Sequence, residues 1–76
     1  MMTKACILVK AVPVKGKKIV EEVSKISGVK KAFSAYGRAD IVVLVEAKEY
    51  EEILKIVDKI HSLDGVRSTE TLTEAW

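Results

Sequence analysis

Three places in this chain carry residue types able to do chemistry. Cys6 is the single cysteine and His61 the single histidine. The third is the stretch Ser34-Ala35-Tyr36-Gly37-Arg38-Ala39-Asp40, which runs directly into the aliphatic residues Ile41 to Val45. Turn chemistry beside a core strand makes the third place the informative one. Gly37 can take a positive φ at no steric cost, so a tight corner here is physically cheap. Free backbone N–H groups around it and the nearby hydroxyls can hold a carboxylate, while Asp40 can receive an ammonium group. The plain alternative is a hairpin in which Asp40 caps the turn.

The other two places read differently. Cys6 lies in the apolar run Ala5-Cys6-Ile7-Leu8-Val9, so a buried structural thiol is expected rather than a nucleophile. His61 stands beside the apolar stripe of a helix, with no Cys, Ser or Asp arranged as its partner, and is read as a helix-end polar residue. One Cys and one His do not make a zinc or iron–sulfur site. The four glycines are scattered as turn residues and form no phosphate-cradling pattern. No catalytic residue, metal ligand or cofactor is expected, and the chain is not read as an enzyme.

At 76 residues the chain is one domain, of a size that buries only roughly 60–65% of the surface its unfolded chain exposes. Small domains of this kind usually need a disulfide, a metal or a partner subunit to be clearly stable. A lone cysteine excludes an internal disulfide and suits a reducing, cytoplasmic home. The start Met1-Met2-Thr3-Lys4 has no signal-peptide pattern, and the apolar runs are too short to cross a bilayer. Thirteen basic residues against 11 acidic give a net charge of +2. The lysines near the two loops are interspersed with glutamates on the helices, which reads as a solvated surface rather than a one-signed nucleic-acid footprint. The central strands also lack the aromatic residues on which RNA bases would stack.

The elements that position the candidate site follow from periodicity. Residues 3–12 read as a first strand, apolar on both faces and stopped by Pro13. Ile19, Val20, Val23 and Ile26 recur at helical spacing within residues 15–27, and Gly28 is the expected stop. Val29 to Tyr36 and Asp40 to Ala47 read as strands joined by the Gly37 corner. Tyr50, Ile53, Leu54, Ile56, Val57, Ile60 and Leu63 form a wide stripe on a second helix ended by Asp64-Gly65, and a last strand runs from Val66 to about Thr73. The halves repeat with an offset of 37 residues, which matches Ile19 with Ile56, Val23 with Ile60, Gly28 with Gly65 and Val29 with Val66. Two such halves predict an α+β, ferredoxin-like βαββαβ fold: a four-stranded antiparallel sheet, strands one and three in its centre, both helices on one face. Near-continuous aliphatic sequence in the central strands implies burial on both sides. A homodimer through the open sheet face would supply the missing cover.

Three pieces of this sequence resemble a known family. They are Val29-Lys-Lys-Ala-Phe-Ser-Ala-Tyr-Gly-Arg-Ala-Asp-Ile, the helix with Ile53-Leu-Lys-Ile-Val-Asp-Lys-Ile, and Asp64-Gly-Val-Arg-Ser-Thr-Glu-Thr. Together they look like the C-terminal effector domain of the Lrp/AsnC transcription regulators, the regulation-of-amino-acid-metabolism (RAM) domain. The resemblance covers essentially the whole chain. It implies a small effector, usually an amino acid, bound in clefts between dimers of a larger ring. By that resemblance Ser34, Tyr36, Gly37 and Asp40 match the hairpin side of the cleft, with Arg38 and Ala39 between them included in the expected site, and Arg67, Thr69 and Thr71 lie on the strand that completes it. Arg38 departs from the smaller or polar residues of the pattern. The first strand begins where the family's helix-turn-helix would precede it, so the resemblance implies a stand-alone effector domain without direct DNA binding. The alternative is a structural partner module that co-assembles with full-length Lrp-like regulators and binds no ligand itself.

Overall fold

The computed structural model describes residues 2–35 and 40–73. Its elements are β1 (Thr3–Ala11), a short 3-10 turn (Pro13–Lys15), α1 (Gly16–Val23), β2 (Val29–Ser34), β3 (Ile41–Ala47), α2 (Tyr50–His61) and β4 (Val66–Thr73). The four strands form one sheet in the order β2-β3-β1-β4, and every neighbouring pair is antiparallel. Strands one and three are therefore central, as the right-handed crossovers of two β-α-β halves require. The order and type of the elements match the ferredoxin-like expectation.

Strand alternation decides which side chains meet the helices. Ala5, Ile7, Val9 and Ala11 of β1 and Ile41, Val43, Val45 and Ala47 of β3 are buried under Ile19 and Val23 of α1 and Ile53, Ile56 and Ile60 of α2. Burying side chains of this size fully stabilises by about 1.5–3 kcal/mol each before entropy is counted. The opposite face carries Cys6, Leu8, Val42, Leu44, Phe33 and Leu72. The register joins them side by side through the pairs Cys6 with Leu44, Leu8 with Val42, Phe33 with Val42 and Cys6 with Leu72. Leu44 and Phe33 are each 38% exposed and Leu72 is 52% exposed. The apolar second face expected from the sequence is present, and none of the described elements covers it.

Three expectations need correction. Cys6 is not buried: it is half-buried, on the open side of the sheet. Helix α1 ends at Val23 rather than near Ser27. The Ser24 hydroxyl donates to the Val20 carbonyl at 2.7 Å, and Lys25 and Ile26 N–H groups bond three residues back, to Glu22 and Val23. That tighter winding still brings Ile26 against the core. On α2 the apolar stripe is narrower than expected, because Tyr50 and Leu54 are exposed while Ile53, Ile56 and Ile60 are buried.

Both helix-to-strand turns use a glycine at positive φ, Gly28 at 97° and Gly65 at 95°. Each is followed by a one-residue irregularity in its strand. β2 pairs Val29 with Val45 but Lys31 with Leu44, and β4 pairs Val66 with Ala11 but Ser68 with Lys10, so Lys30 and Arg67 are the extra residues. The sequence repeat is thus a structural repeat, down to a bulged basic residue in each half.

Candidate functional site

The site grows from the end of the β1–β3 ladder. The last paired residues are Val9 and Ile41. Beyond them the Asp40 N–H donates to the Val9 carbonyl at 2.9 Å, and the Ala35 N–H donates to the Asp40 carbonyl at 2.9 Å. Past the last pair, the Ala11 N–H donates to Oδ2 of Asp40, at 2.9 Å. A part-buried donor there without a partner would carry a desolvation penalty of about 1–3 kcal/mol. Asp40 therefore does not merely close its own corner: its carboxylate extends the ladder to a strand 29 residues away.

On the other side of β1, the bulge brings Arg67 to the same place. Asp40, Lys10, Ala11, Arg67 and Ser68 line one groove of about 430 Å³. Such a volume lies within the roughly 300–1,000 Å³ range of small-ligand pockets. A bulge commonly re-aims a side chain in this way. Lys10 and Ser68 are cross-strand partners, and both residues line this wall. The arrangement provides a fixed carboxylate, two cations and a hydroxyl, which is the chemistry needed to hold a charged ligand at both ends.

The structure brings together Asp40 and Arg67 of the residues expected from sequence. Tyr36, Gly37, Arg38 and Ala39 lie outside the described residues. Ser34 ends β2 opposite Ile41. Thr69 and Thr71 pair with Val9 and Ile7, whose side chains are buried beneath the helices, so alternation turns both threonines to the helix side of β4. Thr69 also borders an adjoining hollow of about 470 Å³ with Leu8, Lys10, Ser68 and Glu70. Lys10 and Ser68 were not singled out from the sequence. Strict alternation from the apolar Ile7 and Val9 was the available signal for Lys10; Ser68 depended on the bulge.

A more apolar hollow of about 500 Å³ lies at the other end of the open face, lined by Cys6, Leu44 and Leu72 with Lys4, Lys30 and Glu46 at its rim. Its floor is the uncovered apolar patch, which suits contact with another apolar surface better than retention of a small charged molecule. His61 is an exposed residue in the last turn of α2, where a basic group complements the helix dipole. Among the described residues no group of His, Cys, Asp or Glu is placed to hold a metal ion.

The fold is a βαββαβ module with a charged groove at one end of its sheet, and comparison with known proteins gives its family. Residues 4–73 match the profile of the Lrp/AsnC ligand binding domain, so the chain belongs to that family. An uncharacterized HTH-type transcriptional regulator of Pyrococcus horikoshii, PH0140, is 38% identical over 68 residues, spanning 88% of this chain and 43% of the regulator. Homocitrate synthase of Saccharolobus solfataricus is 40% identical over 53 residues, spanning 70% of this chain and 12% of the enzyme. The chain thus corresponds to less than half the length of either relative. Among solved structures, TTHA0845 of Thermus thermophilus superposes with a TM-score of 0.93 at 31% identity, covering 97% of this chain and 94% of that one. No helix among the described residues is long and apolar enough to cross a membrane.

Proposed function

We propose that this chain is an amino-acid-sensing regulatory domain that works as an oligomer. The observation that carries the reading is the groove in which the Asp40 carboxylate, anchored by the Ala11 N–H, lines a common wall with Lys10, Arg67 and Ser68. The α-carboxylate of an amino acid would pair with a cation there and its ammonium group with Oδ1 of Asp40, both as charge-assisted bonds. Family membership supports a ligand-binding role. The relatives support two kinds of regulated protein, a DNA-binding transcription regulator and an enzyme. The domain itself performs no chemistry in this reading.

The oligomer is a homodimer formed through the open sheet face, with dimers assembling into a ring. Six apolar side chains on that face, from Phe33 to Leu72, support the dimer. The same patch favours a second reading, a structural module that co-assembles with full-length Lrp-like subunits and takes no ligand. A thermal-shift screen over the proteinogenic amino acids separates the two. A ligand at 100 times its Kd adds about 2.7 kcal/mol, which raises the Tm of a domain this small by roughly 10–20 °C. A screen in which no amino acid moves the Tm rejects sensing and leaves the structural module.

A further inference from the structure

We propose that the groove selects an acidic amino acid, a ligand with two carboxylates and one ammonium group, over neutral ones. The inference rests on the amino-acid reading above and adds the charge class of the ligand. Among the described residues the groove wall holds two cations, Lys10 and Arg67, and one carboxylate, Asp40. Among the described residues Asp40 accepts through Oδ2 from the Ala11 N–H, which fixes its direction, and no donor reaches its Oδ1. One carboxylate oxygen suits one ammonium group. A neutral zwitterion then pairs Asp40 and one of the two cations, and leaves the other in water. A ligand carrying a second carboxylate pairs both and gains a further charge-assisted contact.

The two cations are not equivalent. Arg67 is the extra residue of the β4 irregularity and lies next in sequence to Val66, the partner of Ala11, whose N–H holds Asp40. In this proposal its planar guanidinium takes the α-carboxylate, which it can grip through two parallel bonds. Lys10 precedes Ala11 on β1 and pairs with Ser68. Its flexible ammonium, with the Ser68 hydroxyl, takes the side-chain carboxylate.

Calorimetric titration of the purified chain with L-glutamate, L-aspartate, their amides, L-leucine and succinate tests this. An acidic amino acid should bind at least about tenfold tighter than its amide, the usual scale of one charge-assisted bond. Succinate, which lacks the ammonium group, should bind more weakly than either acidic amino acid. Lys10→Gln should reduce the acid-over-amide preference by more than it weakens leucine binding, and Arg67→Gln should weaken every amino acid. Circular dichroism of both variants checks that the fold is intact. Glutamine binding as tightly as glutamate, or an unchanged ratio in Lys10→Gln, overturns the acidic preference and leaves sensing standing. Failure of every amino acid to bind overturns both.

Discussion

Gly28 lies directly under Ile56: a Cβ on the glycine would stand 2.7 Å from the isoleucine's Cδ1. The other half of the molecule repeats the relationship. A Cβ on Gly65 would lie 2.8 Å from the Lys15 Cβ and 3.3 Å from Cδ1 of Ile19, the residue that corresponds to Ile56 in the repeat. Each helix-terminating glycine is thus crowded by the helix of the opposite half, and each carbonyl accepts from a central-strand end, Glu46 N–H to Gly28 and Val12 N–H to Gly65, at 2.9 and 2.8 Å. The two halves are locked by the same device used twice.

Replacing Gly28 with alanine should therefore cost more than the φ penalty alone. A non-glycine residue in the left-handed region costs about 1–2 kcal/mol, and the Cβ must also displace Ile56. Ile56→Val removes the colliding Cδ1 and by itself costs about 0.5–1.5 kcal/mol. The double variant should be less destabilised than the sum of the singles in urea unfolding. Strict additivity would show that the contact does not matter.

Substitutions at Asp40 separate its structural bond from its charge. Asp40→Asn can still accept from the Ala11 N–H, so stability should hold while amino-acid affinity falls about ten- to a hundredfold with the lost ion pair. Asp40→Ala leaves the part-buried Ala11 N–H without its acceptor and should cost about 1–3 kcal/mol of stability as well. Unfolding and calorimetric curves measured on the same samples distinguish the two effects.

Neighbouring residues of β3 should respond to charge in opposite ways. Val43 is fully buried beneath the helices, so Val43→Asp should prevent folding. Leu44 faces away and is partly exposed, so Leu44→Asp should leave a folded chain that fails to self-associate. Light scattering with circular dichroism reads both. A monodisperse wild-type monomer would refute the sheet-face dimer.

Acid should remove the bond between the two loops. Lys15 Nζ donates to Asp64 Oδ2 at 2.7 Å, and this hydrogen bond holds the Asp64 carboxyl below its ordinary value and the Lys15 ammonium above its own. A depressed carboxylate stabilises the fold above its unfolded pKa and loses that contribution as pH falls through the lower, folded value. The raised lysine keeps its contribution until pH climbs through its folded value. Both groups are solvent-exposed, so the effect should be small. The Tm difference between wild type and Asp64→Asn should be constant around neutrality and vanish in strong acid; a difference that survives there would assign it to something other than the ion pair.

Specific DNA binding is not expected of these 76 residues. Helices α1 and α2 both give their apolar faces to the sheet, and the net charge is only +2. Mobility shifts should show at most weak, sequence-independent binding that disappears between about 50 and 200 mM salt by counterion release.

The sequence determined the order of elements, the buried stripe of each helix, the central place of β1 and β3 and the repeat that ends each half in a glycine. These are consequences of local periodicity and backbone preference, written within a dozen residues of where they act. It also pointed to Asp40 and Arg67. Tertiary structure decided what those two residues meet. The acceptor for Ala11 comes from Asp40, one residue before Ile41 and the last β1–β3 pair, and Arg67 joins the groove where β4 carries one residue more than its partner. The same pairing turns Thr69 and Thr71 toward the helices and leaves Cys6 on the open face, since with a period of two the buried side depends on register. Composition contains no register, and a single added residue in a strand reverses every side chain that follows.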